Sequence, residues 1–187
     1  MAKQAWKPGS MLAPVPAVLV TVKSKAGEDN VLTIAWAGTV CSSPSMVSIS
    51  VRKERYSHPM LMETGEFVIN LVTEDLIRAA DYCGVKSGKD EDKFAACGLT
   101  KEPAGTVSPC VIKESPLALE CKVEQVIPLG SHDLFLARVT QVDVEESLLD
   151  ENGRLKLEEA GLVSYIHGEY YAQGERVGTF GYSVRKK

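Results

Sequence analysis

What most constrains this chain is a succession of β-branched runs separated by short turn-forming segments. "VPAVLVTVK" (residues 15–23), "VLTIAWAG" (31–38), "MVSISVR" (46–52) and "EFVINLV" (66–72) follow one another closely. Gly, Pro, Asn, Asp and Ser punctuate them, the composition of tight connections between strands. "LALECKVEQVI" (117–127) and "DLFLARVTQVDVEE" (133–146) lie later, around "PLGSH". The first two runs are expected to form a hairpin across "AGEDN". In the third, Val47, Ile49 and Val51 share one face and Ser48, Ser50 and Arg52 the other, the period of a half-buried strand.

Helical patterns are few. "HPMLMET" predicts about two turns halted by Gly65. "TEDLIRAADYCG" predicts an amphipathic helix with Thr73 as N-cap and Gly84 at its end. "DEDKFAACG" offers a helical turn ended by Gly98, within an otherwise polar, irregular stretch over 85–110. In the tail, "LVSYIHGEYYAQGERVG", strand and loop are not separable. With strands dominant, the expected architecture is mainly β, a small barrel with helices packed outside.

The chain has 187 residues, 44% hydrophobic and 25% charged, which suits one globular domain. A chain of this size buries roughly two-thirds of its unfolded surface and needs no metal or disulfide staple. A net charge of −4 argues against nucleic-acid partners, whose binding rests on neutralised phosphates. No apolar run reaches membrane-spanning length, and Pro8, Pro14 and Pro16 interrupt any leader. The five scattered cysteines (Cys41, Cys83, Cys97, Cys110, Cys121) read as free thiols of a cytoplasmic protein.

Familiar catalytic signatures are missing. No G-x-G-x-x-G follows a strand. "CGVKSGKD" departs from a P-loop at both ends, with Cys83 in place of the first Gly and Asp90 in place of Ser or Thr. There is no C-x-x-C, the histidines at 58, 132 and 167 are far apart, and no G-x-S-x-G elbow occurs. Any chemistry is then expected to reside in a bound cofactor.

The segment "VRKERYSHPM" (51–60) stands out, because it gathers Arg52, Lys53 and Arg55 between a half-polar strand and a helix. It reads either as a solvated turn or as an anion seat. The second reading has Ser57 as helix N-cap, with His58 and Pro59 in the first turn, and suits a phosphomonoester.

Several segments, in order, resemble the flavin reductase-like family and its flavoredoxin-type branch. They are "PVPAVLVTV", "NVLTIAWAGTVCSSPSMVSISV", "RYSHPMLMETGEFVINLV", "DEDKFAACGLT" and "PLGSHDLFLARVTQV". The resemblance covers most of residues 12–145, with a weaker echo at Gly168–Tyr171 and a C-terminal extension over 146–187. It implies an FMN-binding split β-barrel that forms a homodimer. It implies that backbone groups around Thr33, Ala35, Trp36, Ala37 and Thr39 meet the flavin ring. It implies that Ser50, Arg52, Arg55 and Ser57 hold the phosphate, with Val51, Lys93 and His132 as further cofactor contacts. Tyr170 and Tyr171 are expected to pack the barrel rather than line the site, and Cys41 lies beside the ring site.

No side-chain acid or base is then needed. The implied activity is electron transfer through FMN from NAD(P)H or a protein donor. A reductase releasing reduced FMN to a monooxygenase is the alternative, as is a flavin or haem carrier without turnover.

Overall fold

Strands form where the β-branched runs predict them, with one displacement that shapes the whole molecule. The computed structural model describes residues 1–185, and residues 186–187 of the expected C-terminal extension lie outside it. In chain order the elements are β1 (Val15–Pro16), β2 (Val18–Lys23), β3 (Asp29–Ile34), β4 (Ala37–Ser42) and β5 (Ser45–Arg52). Then come α1 (Ser57–Thr64), β6 (Glu66–Leu71), α2 (Ile77–Val85), α3 (Lys93–Cys97), β7 (Lys101–Glu102) and β8 (Val111–Ile112). The chain continues with β9 (Leu117–Leu129), β10 (His132–Val144), β11 (Val163–Ile166) and β12 (Glu169–Ala172).

Seven strands form one antiparallel sheet in the order β3-β2-β6-β9-β10-β5-β4. β3 and β4 therefore sit at opposite edges of that order, yet only Ala35 and Trp36 separate them in the chain. Two residues reach at most about 7 Å. The edges must meet, so the sheet rolls into a barrel. The Ser50 N–H donates to the Trp36 carbonyl at 2.9 Å and pins the closure. Below that seam β3 has a strand partner only in β2, and the barrel is split. The expected single strand over 31–38 is thus corrected to two strands broken at Ala35–Trp36, because closure takes the chain from one edge to the other.

β2 shows why some runs lack alternation. Val18, Val20 and Val22 belong to the barrel interior with Ile49, Phe67 and Phe135. Leu19 belongs to a second core shared with Ala80, Cys83 and Phe94 of α2 and α3. Both faces are buried, so both are apolar. Each fully buried large side chain contributes about 1.5–3 kcal/mol. α2 and α3 cover the outside as expected, whereas α1 packs Met60 and Leu61 into the barrel's own core.

Three local expectations need correction. Ser57 is the first residue of α1 and not its N-cap; Tyr56 occupies that position in a helical conformation with no side-chain cap. The turn starts early because His58 N–H already bonds to the Arg55 carbonyl at 2.8 Å. α2 begins at Ile77 rather than after Thr73, which bridges to Leu162 instead. Gly84 lies inside α2; a Cβ there would sit 3.3 Å from the Thr33 Cβ, so this glycine permits close packing of helix on strand. By contrast Gly65 and Gly98 end α1 and α3 in left-handed conformation, at φ 65° and 66°, as predicted. The C-terminal segment is no separate appendage: β11 pairs with β1 and β12, and Val163 enters the helix-side core.

Candidate functional site

The split opens into two adjoining cavities that share Leu32, Arg52 and Arg55. The first, about 380 Å³, runs along the seam and is lined by backbone and side chains of Leu32–Trp36, Ser50–Arg52 and Gly84–Val85. Its aromatic members are Trp36, His132, Tyr165 and Tyr170. The register of β10 on β5 sets His132 opposite Arg52, and its ring packs on Trp36 at 4.7 Å between centroids. Burial, then the charges of Arg52 and Arg55, hold the His132 pKa below its ordinary value, which favours the neutral ring. Across the cleft, Tyr170 donates to Asp81 Oδ1 at 3.3 Å, and burial with that carboxylate pushes the phenol up to about 12.

The second cavity, about 400 Å³, is lined by four cations, Arg52, Arg55, Lys86 and Lys93, against one carboxylate, Glu54, together with Asn30, Ser57, Ser87 and Gly88. Asn30 Nδ2 donates to Ser57 Oγ at 2.7 Å in a buried bond, leaving the hydroxyl proton of Ser57 free to donate. Arg55 is oriented by a 3.0 Å bond from its Nη1 to the Gly84 carbonyl.

Lys93 is the unusual member. It is only 3% exposed, and its ammonium donates to the carbonyls of Cys83 and Lys86, each at 3.3 Å. Among the described residues no carboxylate lies within ion-pair distance of it. An ammonium has three N–H groups, so one remains for a ligand. Burial lowers the Lys93 pKa, the direction expected for a cation held away from water without a counter-charge. Buried charges are ordinarily paired. The cavity therefore has the chemistry of an anion site, and its donor set suits a phosphomonoester better than a carboxylate, which offers fewer acceptor oxygens.

Behind this cavity His58 Nε2 and Lys53 Nζ flank Asp133 at 2.8 and 3.3 Å. Burial raises the Asp133 pKa, but hydrogen bonds from His58 and Lys53 outweigh it and leave it lowered. The carboxylate so fixed ties the start of α1 to β10 and keeps Lys53 turned away from the anion site.

Of the residues singled out from sequence, the first cavity brings together Thr33, Ala35, Trp36, Ser50, Val51, Arg52, Arg55 and His132. The second adds Ser57 and Lys93. Ala37 and Thr39 line neither cavity, because β4 leaves the seam to pair with β5, at Ile49 and Val47 respectively. Cys41 is on the same strand, half-buried and away from both cavities. Tyr170 does line the cleft, whereas Tyr171 is exposed. Sequence reading missed Asn30, Asp81 and the Lys86–Gly88 loop. The last was visible as the rejected "CGVKSGKD", whose mismatch to a P-loop hid that it still wraps an anion cavity.

A barrel split at one seam, with a cleft of about 380 Å³ beside a cation-rich pocket, has the shape and charge to take a flat ligand that carries an anionic group. The family model of the flavin reductase like domain matches residues 11–173, and the chain belongs to that family. Flavoredoxin of Desulfovibrio vulgaris superimposes with a TM-score of 0.91 at 32% identity, covering 98% of this chain and 100% of that one. Nitrilotriacetate monooxygenase component B from Bacillus cereus gives 0.86 at 25% identity, covering 96% and 100%. An FMN-binding protein from Thermus thermophilus, solved with bound 1-cyclohex-2-enone, gives 0.78 at 25%, covering 96% and 98%. Among the described residues no helix is long and apolar enough to cross a membrane.

Proposed function

We propose that the protein binds FMN, with the phosphate in the four-cation cavity and the flavin ring in the seam cleft, and that it works as a flavoredoxin-type oxidoreductase. The observation that carries this reading is the buried Lys93, with no carboxylate in ion-pair distance among the described residues, in a cavity that adjoins the aromatic-lined cleft. FMN supplies reversible hydride and electron transfer when bound. The chain's own tasks are then mechanical and electrostatic. Lys93, Arg52, Arg55 and Ser57 hold the phosphate. The free edge of β3 offers backbone N–H and C=O groups to the ring's polar rim. Trp36 and His132 wall the cleft, and the neutral His132 adds no positive charge beside the ring.

Electrons are proposed to come from NAD(P)H or a protein donor. A homodimer, implied by the resemblance, is supported by the terminal arms, which carry Trp6, Leu12 and Phe180 in solvent at 80%, 87% and 104% exposure. Light scattering behind size exclusion tests it; a monomer at micromolar concentration would refute it.

The phosphate assignment is tested by titrating FMN against riboflavin, which lacks the phosphate, under fluorescence. FMN should bind at least about a hundredfold more tightly, the value of two charge-assisted bonds. Equal affinities would sink it. Anaerobic mixing of the FMN-loaded protein with NADH, NADPH or reduced ferredoxin should bleach the flavin with one of them; no bleaching would leave a binding protein without turnover. A second reading, release of reduced FMN to a monooxygenase, draws support from the likeness to the Bacillus cereus component and from the half-open cleft, where Trp36 is 46% exposed. A protein yellow as purified favours the first reading, and a colourless one that turns over free FMN favours the second.

A further inference from the structure

Two thiols that the binding reading leaves unused face each other at the back of the phosphate cavity. Cys83 of α2 and Cys97 of α3 have their sulfurs 3.9 Å apart. Cys83 is sealed at 1% exposure. Cys97 is half-buried and lines a separate cavity of about 750 Å³ on the outer side of the helices, beside Tyr82, Arg78 and Asp75. A small oxidant entering that cavity thus reaches one sulfur, and a second waits behind it. Sulfurs in van der Waals contact need only small side-chain rotations to reach bonding distance.

The segment they bracket gives the pair its interest. Residues 83–97 include Lys86, Ser87, Gly88 and Lys93, one whole wall of the anion cavity. The backbone carbonyl of Cys83 itself accepts from the Lys93 ammonium. We infer that Cys83 and Cys97 form a hydroperoxide-driven, reversible disulfide that closes this wall into a covalent loop.

The chemistry balances with hydrogen peroxide as the oxidant. The Cys97 thiol attacks the peroxide, the O–O bond breaks, and Cys97 becomes a sulfenic acid as water leaves. The Cys83 sulfur then attacks the Cys97 sulfur; the S–O bond breaks, and the departing hydroxide takes the Cys83 proton as a second water. Two thiols lose two electrons and two protons, and one peroxide becomes two waters. Burial, followed by the neighbouring Cys97, pushes the Cys83 thiol up to about 12, which makes the second step slow at neutral pH.

The test is a tryptic map of the full chain after hydrogen peroxide treatment, with remaining thiols alkylated. Cleavage after Arg78, Lys86, Lys93 and Lys101 releases AADYCGVK and FAACGLTK as separate peptides. The expected result is their covalent adduct, lost on dithiothreitol treatment and absent in Cys83→Ser and Cys97→Ser. Accumulation of Cys97 sulfinic acid without the adduct would overturn the inference, as would preferential linkage to Cys41, Cys110 or Cys121. Should a serine variant fail to fold, the wild-type adduct and its reversal decide the question alone. The map needs no flavin, so a protein that fails to bind FMN would refute the binding reading and still test this one.

Discussion

The two ends of the cleft are built on opposite principles. The end proposed to take the phosphate relies on side chains: buried Lys93, buried Ser57 held by Asn30, and the guanidinium groups of Arg52 at the end of β5 and Arg55 just after it. The end proposed to take the ring relies on backbone, a bare strand edge beside aromatic faces that stay partly in solvent. Charges held in low-dielectric surroundings act strongly and at fixed points. Edge groups and ring faces act weakly but leave room for a second reactant. If FMN sits as proposed, the comparison teaches that affinity is concentrated where nothing reacts, and that the reacting end is kept open.

If that division is right, substitutions should fall on a gradient along the cleft. Lys93→Met should weaken FMN binding most, by up to about a hundredfold in a fluorescence titration, because it removes a buried charge-assisted donor. A loss under threefold would break the contrast. Arg52→Ala combined with Ser57→Ala should cost about tenfold or more. Arg52 is already engaged by Glu54 at 3.2 Å near solvent, so its share is smaller than that of Lys93. This double variant should also melt earlier, since the buried Asn30 amide loses its acceptor.

A pH titration sharpens the same point. FMN affinity should rise through about pH 6, as the phosphate takes its second charge. It should fall again as pH climbs through the lowered Lys93 pKa. Stability of the flavin-free protein runs the other way there. A lysine with depressed folded pKa binds fewer protons folded than unfolded, so stability rises with pH between the lowered value and the unfolded one near 10.4. Lys93→Met should flatten both alkaline limbs; limbs that persist would assign them to another group. At the ring end Trp36→Ala should cost only about fivefold in affinity, the scale of one aromatic contact. A larger loss than that of Lys93→Met would reverse the comparison.

How far these features were legible follows from where their causes lie. β5 was readable because one of its faces meets the barrel core and the other the half-open seam, and that asymmetry is written every second residue. The same strand carries Ser50 into the seam cleft and Arg52 to both cavities, so part of the site came with it. The break at Ala35–Trp36 was not readable, because "VLTIAWAG" is locally uniform and only closure of a distant edge demands the bend. Ser57 lines the cation-rich cavity, but its hydroxyl is held across the fold by Asn30 and not by its own helix. The Lys86–Gly88 loop escaped because no local template fits it. A Cβ on Gly88 would fall 2.2 Å from Asn30 Oδ1, and that close approach joins residues far apart in sequence.

The two-residue passage from β3 to β4 has one further consequence. It makes the seam the place where the barrel is zipped by least, with the Ser50–Trp36 bond as its clasp. A flat molecule hydrogen-bonded to the bare edge of β3 would act as a substitute strand. Its arrival would complete the barrel, and its departure would loosen strands that never touch it. Amide exchange in β2, β6 and β9, which do not line the cleft, should therefore slow with that of β3, β5 and β10 when the cleft is filled, so that occupancy is felt around the whole circumference.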